Sequence, residues 1–199
     1  AEEIKRGGSV QTSLVPCTWK NVKINLLDTP GYGDFAGEVA SALRVADSAV
    51  LVVAAPSGPE LGTEQGWDRC KAKGIPRMLF INKMDRENAD FYRSLEQIQA
   101  LFGRKCIPFN LPLGSHQDFK GVVDVLSPSG DIPTELSSKI ESAKEQLIEA
   151  VAGTDDDLTT KYLEGKVITA DDIGPAAREA ILSGEVVPVF AGAATSEAG

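Results

Sequence analysis

Three apolar runs of strand length, with helical repeats between them, constrain this chain more than any other feature. They are "VKINLLD" (22–28), "SAVLVVAA" (48–55) and "RMLFIN" (77–82). The second is apolar on both faces, which predicts a central strand of a parallel sheet. After Asp34, residues Phe35, Val39 and Leu43 recur at helical steps. After Asp90, residues Phe91, Leu95, Ile98 and Phe102 do the same, and Gly103 is placed to end that helix. Strand, helix, strand, helix, strand predicts an α/β fold: a doubly wound, mostly parallel sheet covered on both faces.

Beyond Cys106 the texture changes. "CIPFNLPLG" and "FKGVVDVL" read as strands, and "SPSGDIP" as a turn-rich connector. "SSKIESAKEQLIEAVAG" reads as a helix with Ser138 and Glu141 spaced as a capping box and Gly153 at its end. A second helix is expected across "TADDIGPAAREAILSG", and a last core strand over 186–192. The expected organisation is a core of 1–105 and 185–199, with 106–184 as an inserted α+β subdomain.

The net charge of −9 argues against a broad basic surface that would grip free DNA. No apolar run approaches the length a membrane helix needs, so no membrane partner is expected. Cys17, Cys70 and Cys106 show no metal-binding spacing, and three buried, reduced thiols of a cytosolic protein are expected. Trp19 and Trp67 are expected in the core. The acidic stretch Glu141–Glu149 reads as a solvated helix face. The chain carries one histidine, His116.

In open α/β sheets ligands sit at the carboxyl ends of strands, and here those ends are polar. The third run ends in Asn82, Lys83, Met84 and Asp85. A carboxylate with two acceptor oxygens can receive the ring N–H and exocyclic amino donors of guanine, a donor pair that adenine lacks. An adjacent Asn amide can serve another base edge, and a Lys stem can lie along the ring. The first run ends in Asp28, Thr29, Pro30 and Gly31. Asp28 can hold the shell of a Mg²⁺ ion through water, and Gly31 allows close backbone approach to a terminal phosphate. Each motif also has a plain reading as turn chemistry.

With those residues in view, the chain resembles the GTP-binding domain of the translational GTPases, most closely elongation factor G and its paralogues. "DTPGYGDFAGEVASALRVAD" resembles the family's second switch and its helix, and "GIPRMLFINKMDR" its base-reading strand and loop. "FKGVVDVL", "IPTELSSKIESA" and "KYLEG" resemble the subdomain peculiar to elongation factor G. The resemblance implies a P-loop NTPase fold, GTP/GDP and Mg²⁺ as ligands, and the ribosome as partner. It implies hydrolysis of GTP coupled to ribosome movement. By the same likeness Gly192, Ala193 and Ala194 stand where small residues offer backbone N–H groups to the guanine carbonyl oxygen.

The chain also departs from the family pattern. No Gly-rich loop ending in Gly-Lys-Ser/Thr occurs in it; the family places that loop ahead of where this sequence begins. Little GTPase activity is therefore expected from these residues alone. The family's Arg-Gly-Ile-Thr reads here Arg6-Gly7-Gly8-Ser9. Ser9 keeps the hydroxyl that can ligate Mg²⁺, and Gly8 predicts a more mobile segment. Tyr32 stands at the position of the family's catalytic histidine. Its phenol, with an ordinary pKa of about 10, offers a neutral hydrogen bond or ring packing rather than an imidazole. Slower ribosome-triggered hydrolysis is one expectation; a tolerated aromatic neighbour of Phe35 is the other. A ribosome-binding pseudo-GTPase without turnover is the rival function.

Overall fold

The computed structural model of the chain describes residues 2–166 and 168–199. It contains two compact units. One comprises the chain up to Ala49 together with Leu61–Ile75; the other comprises Val50–Glu60 with Pro76–Gly199.

The first unit is built on α1 (Glu2–Arg6), strands β1 (Ser13–Trp19) and β2 (Val22–Asp28), α2 (Ala36–Ala42) and, later in the chain, α3 (Leu61–Lys73). β1 and β2 form an antiparallel hairpin in register from Trp19↔Val22 to Ser13↔Asp28. Its two-residue turn, Lys20-Asn21, has φ of 46° and 65°. That left-handed pair matches the twist of the flanking strands. The run 22–28 is therefore not a strand of the parallel sheet among the described residues; it pairs with β1 and is largely exposed. Trp19 and Cys17 correct two further expectations, because both lie exposed on β1. Trp67 and Cys70 are buried on α3, as expected.

The second unit holds a four-stranded sheet in the order β3 (Ala49–Ala54), β4 (Arg77–Asn82), β8 (Val187–Ala191), β5 (Cys106–Pro108). β8 runs parallel to both β4 and β5. β3 lies at an end of this sheet rather than its centre, and Val50 and Val52, which share one face of the strand, are exposed. Leu79 and Ile81 of β4, and Val187 and Val189 of β8, are fully buried. α4 (Phe91–Phe102) starts where its sequence says it should: Asp90 accepts the Arg93 N–H, and Gly103 ends the helix at φ 94°.

An antiparallel ribbon, β6 (Asn110–Leu113) with β7 (Gly121–Asp124), leads into α5 (Thr134–Ala152), α6 (Asp156–Leu163) and α7 (Ala170–Ser183). α5 buries Leu136, Ile140, Ala143, Leu147 and Val151 on one face and exposes Glu141, Glu145 and Glu149 on the other. Leu147 and Val151 pack with Ile107, Leu158, Ile173, Ala177 and Val186 in one core cluster. Burying a side chain the size of Leu147 is worth about 1.5–3 kcal/mol. The expected capping box at Ser138 and Glu141 is absent. The buried face begins one turn earlier, at Leu136, so the helix starts at Thr134 behind Pro133. Ser138 then lies inside it, its hydroxyl donating to Glu135 O. The capping box is found on α7 instead, between Thr169 and Asp172. Burial pushes the Cys106 thiol up to about 12, so it stays an inert, protonated filler of β5 at neutral pH.

Candidate functional site

In the second unit, β4 delivers the chain to Asn82 and a tight reversal follows, with Lys83 in the left-handed region at φ 64°. That conformation is uncommon for a residue with a Cβ. The Asn82 carboxamide oxygen accepts two backbone N–H groups, from Lys83 at 2.8 Å and from Ala194 at 3.0 Å. One side chain thus fastens the loop after β4 to the loop after β8. Met84 is fully buried, and its N–H donates to Gly192 O at 3.2 Å. Gly192 in turn donates to Ile81 O at 3.0 Å. A Cβ on Gly192 would lie 2.6 Å from Phe80 Cζ and 2.9 Å from Ala198 O, so the packing admits only glycine there.

Asp85 follows directly. Its Oδ1 is buried and has no hydrogen-bond partner among the described residues. A buried acceptor without a donor costs about 1–3 kcal/mol, more when charged. A donor supplied by a ligand, such as an N–H of a guanine, would remove that cost. The N–H groups of Gly192, Ala193 and Ala194 each donate within the chain: to Ile81 O, to Ala198 O at 2.6 Å and to Asn82 Oδ1. Here those groups hold the loop together.

Two supporting residues escaped sequence reasoning. Asn110, buried on β6, takes the Ala191 N–H on its oxygen at 2.7 Å and gives its own amide hydrogen to Ala191 O at 3.3 Å. It completes the last rung of β8 just before Gly192. The only signal was a polar residue in an otherwise apolar "CIPFNLPLG". His116, noted only for being alone, donates its backbone N–H to Met84 O at 2.9 Å. A cavity of about 630 Å³ borders this loop on the Met84 side, lined also by Tyr92, His116, Leu136 and Lys139; Asp85 is not part of it.

In the first unit, β2 ends at Asp28, whose side chain is exposed. Thr29 is half-buried, Pro30 buried and Gly31 exposed. A Cβ on Gly31 would meet nothing within 4 Å, so nothing in the chain itself requires glycine at that position. Tyr32 is 59% exposed, and its carbonyl accepts the Phe35 N–H at 3.0 Å to close a 3₁₀ turn over Gly33–Phe35. Its ring lies on Gly8: a Cβ there would stand 3.0 Å from Tyr32 Cε2. A side chain at residue 8 would therefore press on the Tyr32 ring.

Ser9 belongs to a segment held by side-chain carboxylates. Val10 N–H donates to Glu3 Oε1 and Thr12 N–H to Glu38 Oε2, each at 2.8 Å. These N–H groups hold both carboxyls below the usual carboxylate range. Gly7 N–H also donates to Glu3 O, at 2.8 Å. Ser9 itself is half-buried. No cluster of three or more His, Cys, Asp or Glu side chains occurs among the described residues. One carboxylate and one hydroxyl, both hard oxygen donors, suit Mg²⁺, which usually keeps several waters and binds through one or two protein groups.

Comparison with known proteins follows the same lines. Residues 1–199 match the family model described as "Elongation factor Tu GTP binding domain". Elongation factor G of Thermotoga maritima is 37% identical over 212 aligned residues, which take in 100% of this chain and 31% of that protein. Elongation factor G of Thermotoga neapolitana is 38% identical, with 100% and 30% covered. The chain therefore spans less than a third of the length of these relatives. A crystal structure of a protein from Thermus thermophilus superposes with a TM-score of 0.89 at 31% identity, over 98% of this chain and 31% of that one.

Proposed function

The chain belongs to the elongation factor Tu GTP binding domain family, and on that premise we propose that it is the nucleotide-binding part of an elongation factor G-like translation factor. Such a protein couples GTP hydrolysis to movement on the ribosome. The observation that carries the reading is Asp85: a buried carboxylate oxygen without a donor, fixed at the end of a core strand.

The roles divide between the two units. In the second, Asp85 accepts the ring and exocyclic N–H groups of guanine. With its oxygen already committed to Lys83 and Ala194, Asn82 has only its amide hydrogens left to offer a base acceptor. Lys83 lays its stem along the ring, and Gly192, Ala193 and Ala194 brace the loop. In the first, Thr29 and Pro30 lead the chain to Gly31, whose N–H meets a terminal phosphate. Asp28 and Ser9 hold Mg²⁺, which when bound neutralises charge building on the phosphate oxygens. Tyr32, where the family has its histidine, offers a phenol hydroxyl in place of an imidazole.

The exchange Asp85→Asn in the intact protein tests the reading. An amide gives a donor where the carboxylate gave an acceptor. GDP affinity should fall about ten- to a hundred-fold, the worth of a charge-assisted bond, while affinity for xanthosine diphosphate rises. Equilibrium competition between the two nucleotides measures it, and unchanged selectivity removes Asp85 from the role.

A further inference from the structure

We propose that His116 positions the Asp85 carboxylate for base recognition, gripping the chain on both sides of that residue; this rests on the base-reading role given to Asp85 above. His116 opens a 3₁₀ turn, His116–Asp118, in the connection between β6 and β7. Its backbone N–H donates to Met84 O at 2.9 Å, and its Nδ1 lies 3.0 Å from Arg86 O. A carbonyl oxygen only accepts, so Nδ1 carries a hydrogen and donates it. That holds for the Nδ1–H neutral ring and for the imidazolium alike. The two carbonyls it holds belong to the residues immediately before and after Asp85.

The geometry points to positioning. Within the loop, Arg86 N–H donates to Lys83 O at 3.1 Å, and Lys83 sits in the left-handed region at φ 64°. Met84 N–H fixes one edge of this reversal to Gly192 O, and His116 fixes the other. A carboxylate that must meet two N–H groups of a planar base has to be held to within about 0.5 Å, which requires support from outside its own turn. The support is itself shaped: His116 has φ 56°, and Gly114, at φ 78°, has no room for a Cβ against Asp118 O. The turn in the β6–β7 connection thus reaches back to a loop thirty positions earlier in the chain.

Two variants of the intact protein separate the side chain from the backbone. His116→Gly and His116→Asn both accept a left-handed backbone and both keep the N–H to Met84 O; only Asn keeps a side-chain donor. The reading is the affinity ratio of GDP to inosine diphosphate, which lacks the exocyclic amino group and so offers Asp85 one N–H instead of two. His116→Gly should lower that ratio by roughly three- to ten-fold, the share of one hydrogen bond, while His116→Asn stays near the parent value. Amide exchange at Met84 and Arg86 should quicken in the Gly variant and not in the Asn variant. If GDP and inosine diphosphate weaken together, or the ratio does not move, His116 is only structural and the proposal fails. If the unmodified protein does not distinguish the two nucleotides, the role of Asp85 fails and the proposal falls with it.

Discussion

The two units hold their candidate site residues by different means. In the second, the loop after β4 is tied by backbone groups to buried strands: Met84 N–H to Gly192 O, Gly192 N–H to Ile81 O, Asn82 across to Ala194. Met84, Ala193 and Ile81 are fully buried. In the first unit the corresponding residues, Asp28, Gly31 and Tyr32, are exposed, and the neighbouring segment hangs on the carboxylates of Glu3 and Glu38. Buried backbone bonds are indifferent to pH and hard to displace. Carboxylate–amide bonds at the surface depend on the charge of the carboxylate, and so on pH.

The largest expected effect contrasts the two kinds of apolar residue. Leu147 is fully buried in the second unit, and Leu147→Ala should cost about 2–5 kcal/mol in denaturant unfolding. Leu26, 52% exposed on the hairpin of the first unit, should tolerate the same change within about 0.5 kcal/mol. Comparable losses at both positions would break the contrast.

A smaller effect tests the means of attachment. The folded-state pKa values of Glu3 and Glu38 are lowered, chiefly by the Val10 and Thr12 N–H groups respectively. Their contribution is therefore present above the unfolded carboxylate value of about 4.3 and is lost as pH falls through the lowered values. Amide protection at Val10 and Thr12, corrected for intrinsic exchange, should decline in that acid window. Protection at Met84 N–H, bonded to a backbone carbonyl, should not follow it. Parallel decline at all three would mean that one global opening, rather than two kinds of attachment, governs both loops.

Sequence served well where the determinant is local. α4 was legible from its periodicity, its Asp90 cap and Gly103; β4 and β8 were legible as apolar runs. It served poorly where the determinant is a distant partner or a missing one. The run 22–28 looks like a buried strand, yet its partner is β1, set by the Lys20-Asn21 turn that nothing apolar announces. The start of α5 was misplaced because the Ser138–Glu141 spacing satisfies a capping rule that the buried face, beginning at Leu136, overrides. In the candidate site, Asn82 to Asp85 stand out as a motif. Asn110 and His116 act on backbone groups 81 and 30 positions away, and no local pattern records such bonds.

The most direct measurement is competition of GDP, inosine diphosphate and ADP for the intact, unmodified protein. Asp85 as the reader of the guanine N–H pair predicts GDP bound tightest, inosine diphosphate weaker by about ten-fold for the lost charge-assisted bond, and ADP weakest. Equal affinity for the three would show that the buried carboxylate does not read the base, and the account of this site would be wrong.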